Sequence, residues 1–371
     1  MNLSSRRVVV AMSGGVDSSV ALLRVVNEGY EAVGVTMKLW ETTPVSGTLS
    51  RHTYCCSVDA INNAKLVCQK LGVPHYTLDF QDLFRLRVVD YLVDEYLSGR
   101  TPNPCIQCNI HLRWGGLIHK ADTLNARWIA TGHYAVVDRS RPGRPVIRRG
   151  RDRDKDQTYV LWGIPPETVD RTLFPVGELT KTEVRRIAAE AGLVTASVPE
   201  SQDICFIPNN DYRRFLHDYA PDRMKKDPAG DFVSPQGEPV GRHEGLSRYT
   251  VGQRRKLGVT GPRPLYVQKI NPEERTITLA TRDQMLFDGC TVEKINWLHL
   301  PEGDGDGRSL TVHIRYHHPG VPCRITRDGD SGATVAFHSP QFAVTPGQSA
   351  VFYDGDELLG GGIIREGRLH D

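Results

Sequence analysis

Val8-Val9-Val10-Ala11-Met12-Ser13-Gly14-Gly15-Val16-Asp17-Ser18-Ser19 decides how the rest of this chain is read. Three consecutive valines suit a strand buried on both faces, and Ser18 to Glu28 has the pattern of a helix that closes at Gly29. Between them, Ser13-Gly14-Gly15 makes a tight turn. Adjacent glycines let backbone come close to a phosphate. The helix start behind them presents unpaired N–H groups and the positive end of a dipole. Ser13, Ser18 and Ser19 add hydroxyl donors. No lysine follows, so the GxxxxGK[ST] loop of ordinary γ-phosphate transfer is absent.

The string Ser13-Gly14-Gly15-Val16-Asp17-Ser18 after a buried strand resembles the PP-loop of ATP pyrophosphatases, which cleave ATP to AMP and pyrophosphate. That resemblance implies ATP with magnesium as the cofactor. It places Ala11, Met12, Ser13, Gly14, Gly15, Val16, Asp17 and Ser18 around the nucleotide, with Asp17 helping to hold magnesium-pyrophosphate. Met37 is expected near the adenine, and Gly132 is expected to bring backbone close to the nucleotide.

Strand and helix patterns alternate through the first third of the chain: Ala32–Met37, helix Ala60–Leu71, then His75–Leu78. Such alternation predicts a parallel sheet with crossover helices and a ligand beyond the strand C-terminal ends. Further helices are expected over Phe84–Leu97 and His111–Leu124, separated by a proline-marked loop from Gly99 to Asn109. A strand at Trp128–Ala130 leads into Thr131-Gly132-His133-Tyr134, and Thr182–Ala191 reads as an amphipathic helix. The later part turns to short strands, including Leu310–Tyr316, Cys323–Arg327, Thr334–His338, Gln348–Tyr353 and Gly361–Arg365. The expected fold class is α/β. A doubly wound parallel-sheet PP-loop domain (adenine nucleotide alpha hydrolase-like) covers residues 1–210, a small central α+β domain 211–283, and an antiparallel β-barrel 284–371.

The bulk numbers narrow the classes. A net charge of +2 makes any nucleic-acid surface local rather than global. No stretch reaches the roughly 18 apolar residues of a membrane span, so no membrane partner is expected. Eight cysteines without an apolar leader point to a reducing cytoplasm and to thiol chemistry or metal ligation rather than a disulfide scaffold.

Three cysteines fall in expected loops: Cys105 and Cys108 in Thr101-Pro102-Asn103-Pro104-Cys105-Ile106-Gln107-Cys108, and Cys205 in Ser201-Gln202-Asp203-Ile204-Cys205-Phe206. Alone, Cys-x-x-Cys leaves half a zinc site, a dithiol and inert packing all open. Taken with the PP-loop, Ala130-Thr131-Gly132-His133-Tyr134-Ala135, Lys155-Asp156-Gln157, and Tyr353-Asp354-Gly355-Asp356 before Leu359-Gly360-Gly361-Gly362, these segments resemble the tRNA-specific 2-thiouridylases (MnmA type). The resemblance spans nearly the whole chain. It implies ATP-dependent thiolation of carbon 2 of the wobble uridine of tRNA, with a sulfur donor and a reductant as further partners.

By that resemblance Cys205 carries a persulfide and Cys108 is the second catalytic thiol. Where many members read Asn-Pro-Asp, this chain has Asn103-Pro104-Cys105, so a thiol replaces a candidate general acid or base. Three cysteines in one pocket can hold three irons of a 4Fe-4S cluster and leave the fourth for hydrosulfide. Cys105 tilts the sequence reading toward that cluster on Cys105, Cys108 and Cys205.

The same resemblance assigns tRNA contacts to Asn103, Pro104, Cys105, His133, Lys155, Asp156, Gln157, Arg315, Tyr316 and Gln348. Residues 139–155 hold eight basic side chains against two acidic ones, a density that reads as a solvated loop or a phosphate contact. Gly241–Lys256 is also basic with an interleaved Tyr249. There Lys256 takes the second glycine position of the family's Gly-Gln-Arg-x-Gly-Leu-Gly, which puts the local turn in question. Two other functions compete: an ATP-pyrophosphatase ligase acting on a small molecule, and a tRNA-binding protein with an inactive loop and structural zinc. The first needs no cysteine trio, and the second needs no intact PP-loop.

Overall fold

The computed structural model describes residues 4–40, 58–200, 204–299 and 310–370. The chain forms two units, Met1–Val88 with Cys105–Asn210 and Asp356–Leu358, and Val89–Pro104 with Asp211–Gly355 and Leu359–Asp371.

In the first unit a five-stranded parallel sheet is built from β1 (Ser4–Ala11), β2 (Glu31–Lys38), β3 (His75–Asp79), β4 (Ala126–Ala130) and β7 (Thr172–Leu173). Its order is β3-β2-β1-β4-β7. Val8, Val9 and Val10 are fully buried because β1 is paired on both edges, in register with Ala32–Gly34 and Trp128–Ala130. Helices Val16–Asn27 and Lys181–Glu190 pack their apolar faces into the same core through Val20, Ala21, Val25, Val184 and Ala188. The hairpin of β5 (Ala135–Asp138) and β6 (Val146–Arg149) occupies much of the basic stretch read as a loop; Val146 and Ile147 are buried and give that stretch an apolar stripe to pair on.

The expected loop carrying Cys105 and Cys108 is helical instead. A turn of α-helix starts at Pro104 and runs through Gln107, and the π-helical segment Cys108–Trp114 follows. Proline at a first helical position gives up no hydrogen bond and has the right φ, so here it starts a helix rather than breaking one. Residues Arg85–Val89 form a second π-turn inside the expected helix around Phe84–Leu97.

The second unit holds two sheets. β8 (Gly230–Val233), β9 (Pro239–His243), β10 (Tyr266–Asn271) and β11 (Thr276–Ala280) form a small sheet in the order β10-β11-β8-β9 around Phe232, Val267 and Ile277. β12 (Leu286–Trp297), β13 (Leu310–His313), β14 (Val321–Asp328), β15 (Gly332–Phe342), β16 (Ser349–Asp354) and β17 (Glu357–Leu369) form an antiparallel sheet. Pairing of β12 with β17 closes it into a six-stranded barrel filled by Val312, Val335, Phe352 and Ile364. Tyr249, the tyrosine interleaved in the basic stretch Gly241–Lys256, is buried in the small sheet's core against Phe232 and His243. Lys256 makes its turn with φ +61°, so a lysine adopts the left-handed conformation that glycine takes without strain.

Candidate active site

β1 delivers the Ser13–Asp17 turn to the C-terminal edge of the parallel sheet. Gly14 has φ +75°, and a Cβ there would lie 2.1 Å from the Ala60 carbonyl oxygen, so only glycine fits. The Ser18 and Ser19 hydroxyls both donate to the Gly15 carbonyl, at 3.1 and 2.9 Å. The Ser13 amide donates to Ser18 Oγ at 3.2 Å. Ser13, Gly14, Gly15 and Ser18 are thus one interlocked turn at the start of a helix. Gly132 lies against it: a Cβ there would be 2.7 Å from Asp17 C and from Ser18 N. Gly132 therefore brings its backbone against the loop itself. Met37 is nearly buried at the end of β2.

Asp17 stands at the centre of a charged group that the sequence did not predict. Lys181 Nζ lies 2.8 Å from each of its carboxylate oxygens, and the Tyr134 hydroxyl donates to Oδ1 at 2.8 Å. Burial, then Asp17, push the Tyr134 phenol's pKa upward, so it stays a donor. Lys181 is the first residue of a helix capped by Thr180, whose box with Glu183 closes in both directions. A cation at that position opposes the helix dipole, and the carboxylates of Asp17 and Glu200 offset the cost. Glu200 also accepts from Lys155 Nζ at 2.8 Å, and that bond is the main reason its carboxyl pKa lies below the ordinary range.

The segment expected to contact RNA around Lys155 splits by role. Asp156 is turned inward, accepting from the Gly150 amide and the Thr158 hydroxyl, and burial raises its pKa. Gln157 Oε1 accepts from the Tyr134 amide. Lys155 is the member that keeps a partly exposed charge, held on Glu200.

His133 has its ring among Trp114 and Phe174, and is only 4% exposed. Its Nε2 lies 2.8 Å from the Arg113 guanidinium, which can only donate, so Nε2 accepts and Nδ1–H donates to Thr131 Oγ1 at 2.8 Å. Both ring nitrogens are used inside the protein; the side chain read as a base contact is a buried structural one. Burial first, and Arg113 second, hold its pKa well below 6.5. A base with a depressed folded pKa binds protons better when unfolded, so acidification favours unfolding. Stability is complete above about pH 6.5 and falls below it by at most ~1.4 kcal/mol per pH unit for one such group. His133→Asn is expected to show a shallower loss of urea stability than the parent between about pH 7 and pH 5. Equal slopes would remove His133 as a source.

The six described cysteines stand as thiols. Burial pushes Cys68 up to about 11 and Cys290 and Cys323 up to about 12, so these three hold their protons at neutral pH and are poor nucleophiles. Cys105 is exposed, Cys108 is buried at the start of the π-helical segment, and Cys205 is half-buried. π-Helical turns of this sort concentrate at functional sites. Cys205 precedes Phe206, which packs edge-on against Phe84 at 5.2 Å and near Trp40 at 6.4 Å. Cys55, Cys56 and the Ser201–Asp203 part of the Cys205 motif lie outside the described residues. Among the described residues no three His, Cys, Asp or Glu side chains are gathered as a metal site.

In the second unit, Arg315 and Tyr316 are exposed, with the Tyr316 ring 4.5 Å from that of His317. Gln348 is differently employed. Its amide donates to the Thr101 carbonyl at 2.8 Å, while the Thr101 amide donates to the Pro346 carbonyl at 2.9 Å. Asn103 is half-buried and Pro104 buried where the chain leaves this unit.

The model of the tRNA methyl transferase HUP domain matches residues 6–209, that of the tRNA methyl transferase PRC-barrel domain residues 213–281, and that of the aminomethyltransferase beta-barrel domain residues 287–364. The chain is 46% identical over 362 residues to the tRNA-specific 2-thiouridylase MnmA of Amoebophilus asiaticus, covering 97% of this chain and 95% of that one. The chain belongs to the tRNA-specific 2-thiouridylase family. The family member from Salinibacter ruber is 44% identical, over 97% of this chain and 94% of its own. The one from Symbiobacterium thermophilum is also 44% identical, over 97% and 92%. What sequence reading missed for this 2-thiouridylase-family site are Lys181, Glu200, Tyr134 and Arg113. The basic first position of a well-capped helix was the available signal for Lys181, since a lysine there needs an anion in front of it.

Proposed function

We propose that this chain is a tRNA-uridine 2-sulfurtransferase that uses ATP to thiolate carbon 2 of the wobble uridine. The carrying observation is near-full-length identity of 42–46% to proteins named tRNA-specific 2-thiouridylase. A uridine carbonyl oxygen leaves poorly, so it is first adenylated, and pyrophosphate departs. Magnesium enters with ATP as part of the substrate. The Ser13–Ser18 turn presents the backbone N–H groups of the uncapped helix start at Val16 to the phosphates, with Asp17 and Lys181 beside them.

Sulfur follows in two exchanges. The terminal sulfur of a Cys205 persulfide attacks carbon 2, and AMP leaves with the former carbonyl oxygen. Thiolate Cys108 then attacks Cys205 Sγ, which breaks the sulfur–sulfur bond to the base, releases 2-thiouridine and leaves a Cys108–Cys205 disulfide. A thiol reductant restores both cysteines. Before that, the base must be unstacked to expose its carbonyl, and Arg315 with Tyr316 offers a guanidinium and a ring as RNA contacts.

A 4Fe-4S cluster does not fit the thiols as they stand. Cys105 is exposed while Cys108, one helical turn on, is buried, and among the described residues no three His, Cys, Asp or Glu side chains are gathered as a metal site. No step is therefore routed through iron. Anaerobically purified protein is expected to carry well under one iron per chain and to thiolate tRNA from a persulfide donor with ATP, with Cys105→Ala retaining activity within roughly threefold. Stoichiometric cluster iron, lost together with activity in Cys105→Ala, would replace the relay with a cluster. No thiolation under either condition would sink the sulfurtransferase reading itself and reopen the ligase.

A further inference from the structure

Asp17 is held by two donors of unequal stiffness. Lys181 Nζ, at the end of a flexible four-carbon stem, lies 2.8 Å from both carboxylate oxygens. The Tyr134 hydroxyl donates to Oδ1 alone, at 2.8 Å. A tyrosine side chain has only two torsions, and this one is fixed at both ends. Tyr134 is 3% exposed and belongs to the core of the parallel sheet with Val8, Val10 and Val16. Its backbone is clamped by Gln157. The Tyr134 amide donates to Gln157 Oε1 at 3.0 Å, and the Gln157 amide donates to the Tyr134 carbonyl, also at 3.0 Å. An ionised carboxylate offers about four acceptor sites, two on each oxygen. Lys181 takes one on each, and Tyr134 takes the second on Oδ1. Among the described residues, the site that remains is on Oδ2.

We propose that Tyr134 is a positioning residue that aims Asp17 at magnesium: by holding Oδ1 from a rigid site it fixes the plane of the carboxylate and presents Oδ2 to the metal ion of Mg-ATP. That role rests on the nucleotide reading of the Ser13–Asp17 loop. The donor chemistry fits, because magnesium takes hard oxygen ligands, commonly one or two carboxylates, and demands near-ideal octahedral geometry. A carboxylate free to turn must be ordered when the ion arrives, whereas one already oriented avoids that cost. Lys181 does not supply the orientation. Its stem lets the ammonium follow incoming phosphates, while the phenol stays where the sheet core puts it. Calcium accepts more ligands, longer distances and looser geometry, so it gains less from a fixed carboxylate. Tyr134 thereby favours magnesium over calcium as the ion that accompanies ATP.

The test is the affinity of the full-length protein for α,β-methylene-ATP, read by displacement of a fluorescent adenine nucleotide in magnesium, in calcium and in EDTA. In the parent protein magnesium should tighten binding relative to EDTA. Tyr134→Phe keeps the ring and removes the hydroxyl. It is expected to weaken binding in magnesium about tenfold, the lower range for losing a partner that orients a metal ligand. Binding in EDTA should stay within about twofold and the loss in calcium should be smaller than in magnesium. In an Asp17→Asn background the same change should cost less than about twofold in magnesium, since a residue that acts through Asp17 has nothing left to orient. If Tyr134→Phe does not fold, Gln157→Met, which removes the acceptor of the Tyr134 amide, takes its place and is held to the same pattern. Equal losses in magnesium and EDTA, no loss in magnesium, or an undiminished loss in the Asp17→Asn background overturns the role of Tyr134 alone. A parent protein that does not bind the analogue, or binds it equally in magnesium and EDTA, overturns that role together with the reading of Ser13–Asp17 as the Mg-ATP loop.

Discussion

Cys205→Ser is expected to lower tRNA thiolation by roughly a thousandfold or more, the order of loss when a covalent group is removed, while Mg-ATP binding stays within about twofold. Serine has no sulfur on which a persulfide can form, and Cys205 is not one of the deeply buried thiols, so its loss leaves no large cavity. Cys108→Ser separates the two thiol roles. With Cys205 intact the first attack proceeds, and the product stays bound to Cys205 through a disulfide. Added dithiothreitol is expected to release thiolated tRNA from Cys108→Ser and to do nothing for Cys205→Ser. Denaturing gel analysis of labelled tRNA reads both outcomes. Should dithiothreitol rescue neither variant, or Cys205→Ser keep its activity, the order of the two cysteines falls. Cys68, Cys290 and Cys323 do not take over as carriers, because burial keeps their thiols protonated.

The parts of the fold legible in sequence were those set by local pattern. Val8–Val10 and Gly14 dictate strand and turn within a few residues, and the parallel order around β1 follows from the alternation of strands and helices. The two expected cysteine loops depended on reading proline as a breaker, and Pro104 as a helix start reverses that reading for Cys105 and Cys108. The partner of Lys181 was out of reach for another reason. Lys181 meets Asp17 across 164 positions of sequence, and no spacing rule connects a helix start to a distant glycine turn. His133 illustrates the reverse error. A histidine after Thr131-Gly132 looks available, yet Arg113 and Trp114 from one distant segment and Phe174 from another pack around its ring, and Arg113 together with the local Thr131 takes up both nitrogens. Lys256 shows that a departure from a glycine motif need not abolish its turn, since the chain accepts φ +61° there.

The second large effect belongs to the glycine turn. Gly14→Ala faces two separable penalties: a left-handed φ of +75°, and a Cβ driven to 2.1 Å from the Ala60 carbonyl oxygen. The first costs about 1–2 kcal/mol. The second cannot be relieved by a side-chain rotation, because the obstacle is backbone, so the loop must move. Movement there breaks the Ser13–Ser18–Gly15 hydrogen bonds and shifts Asp17 away from Lys181 and Tyr134. Gly29→Ala supplies the contrast. It has a similar φ of +81° at the end of the same helix, with nothing within 4 Å of the added carbon. Urea unfolding should therefore show a loss of about 1–2 kcal/mol in Gly29→Ala and a larger one in Gly14→Ala. Mg-ATP affinity should be unchanged in the first and weakened at least about tenfold in the second. If Gly14→Ala unfolds outright, the comparison passes to Gly15→Ala, where the nearest atom to an added Cβ is Ser13 Oγ at 3.5 Å and the backbone need not shift. There a methyl group enters the face of the turn where phosphate is expected, so affinity should fall with little change in stability. Tight Mg-ATP binding by both Gly14→Ala and Gly15→Ala would mean that this turn is not the phosphate cradle, and the adenylating step would lose its site.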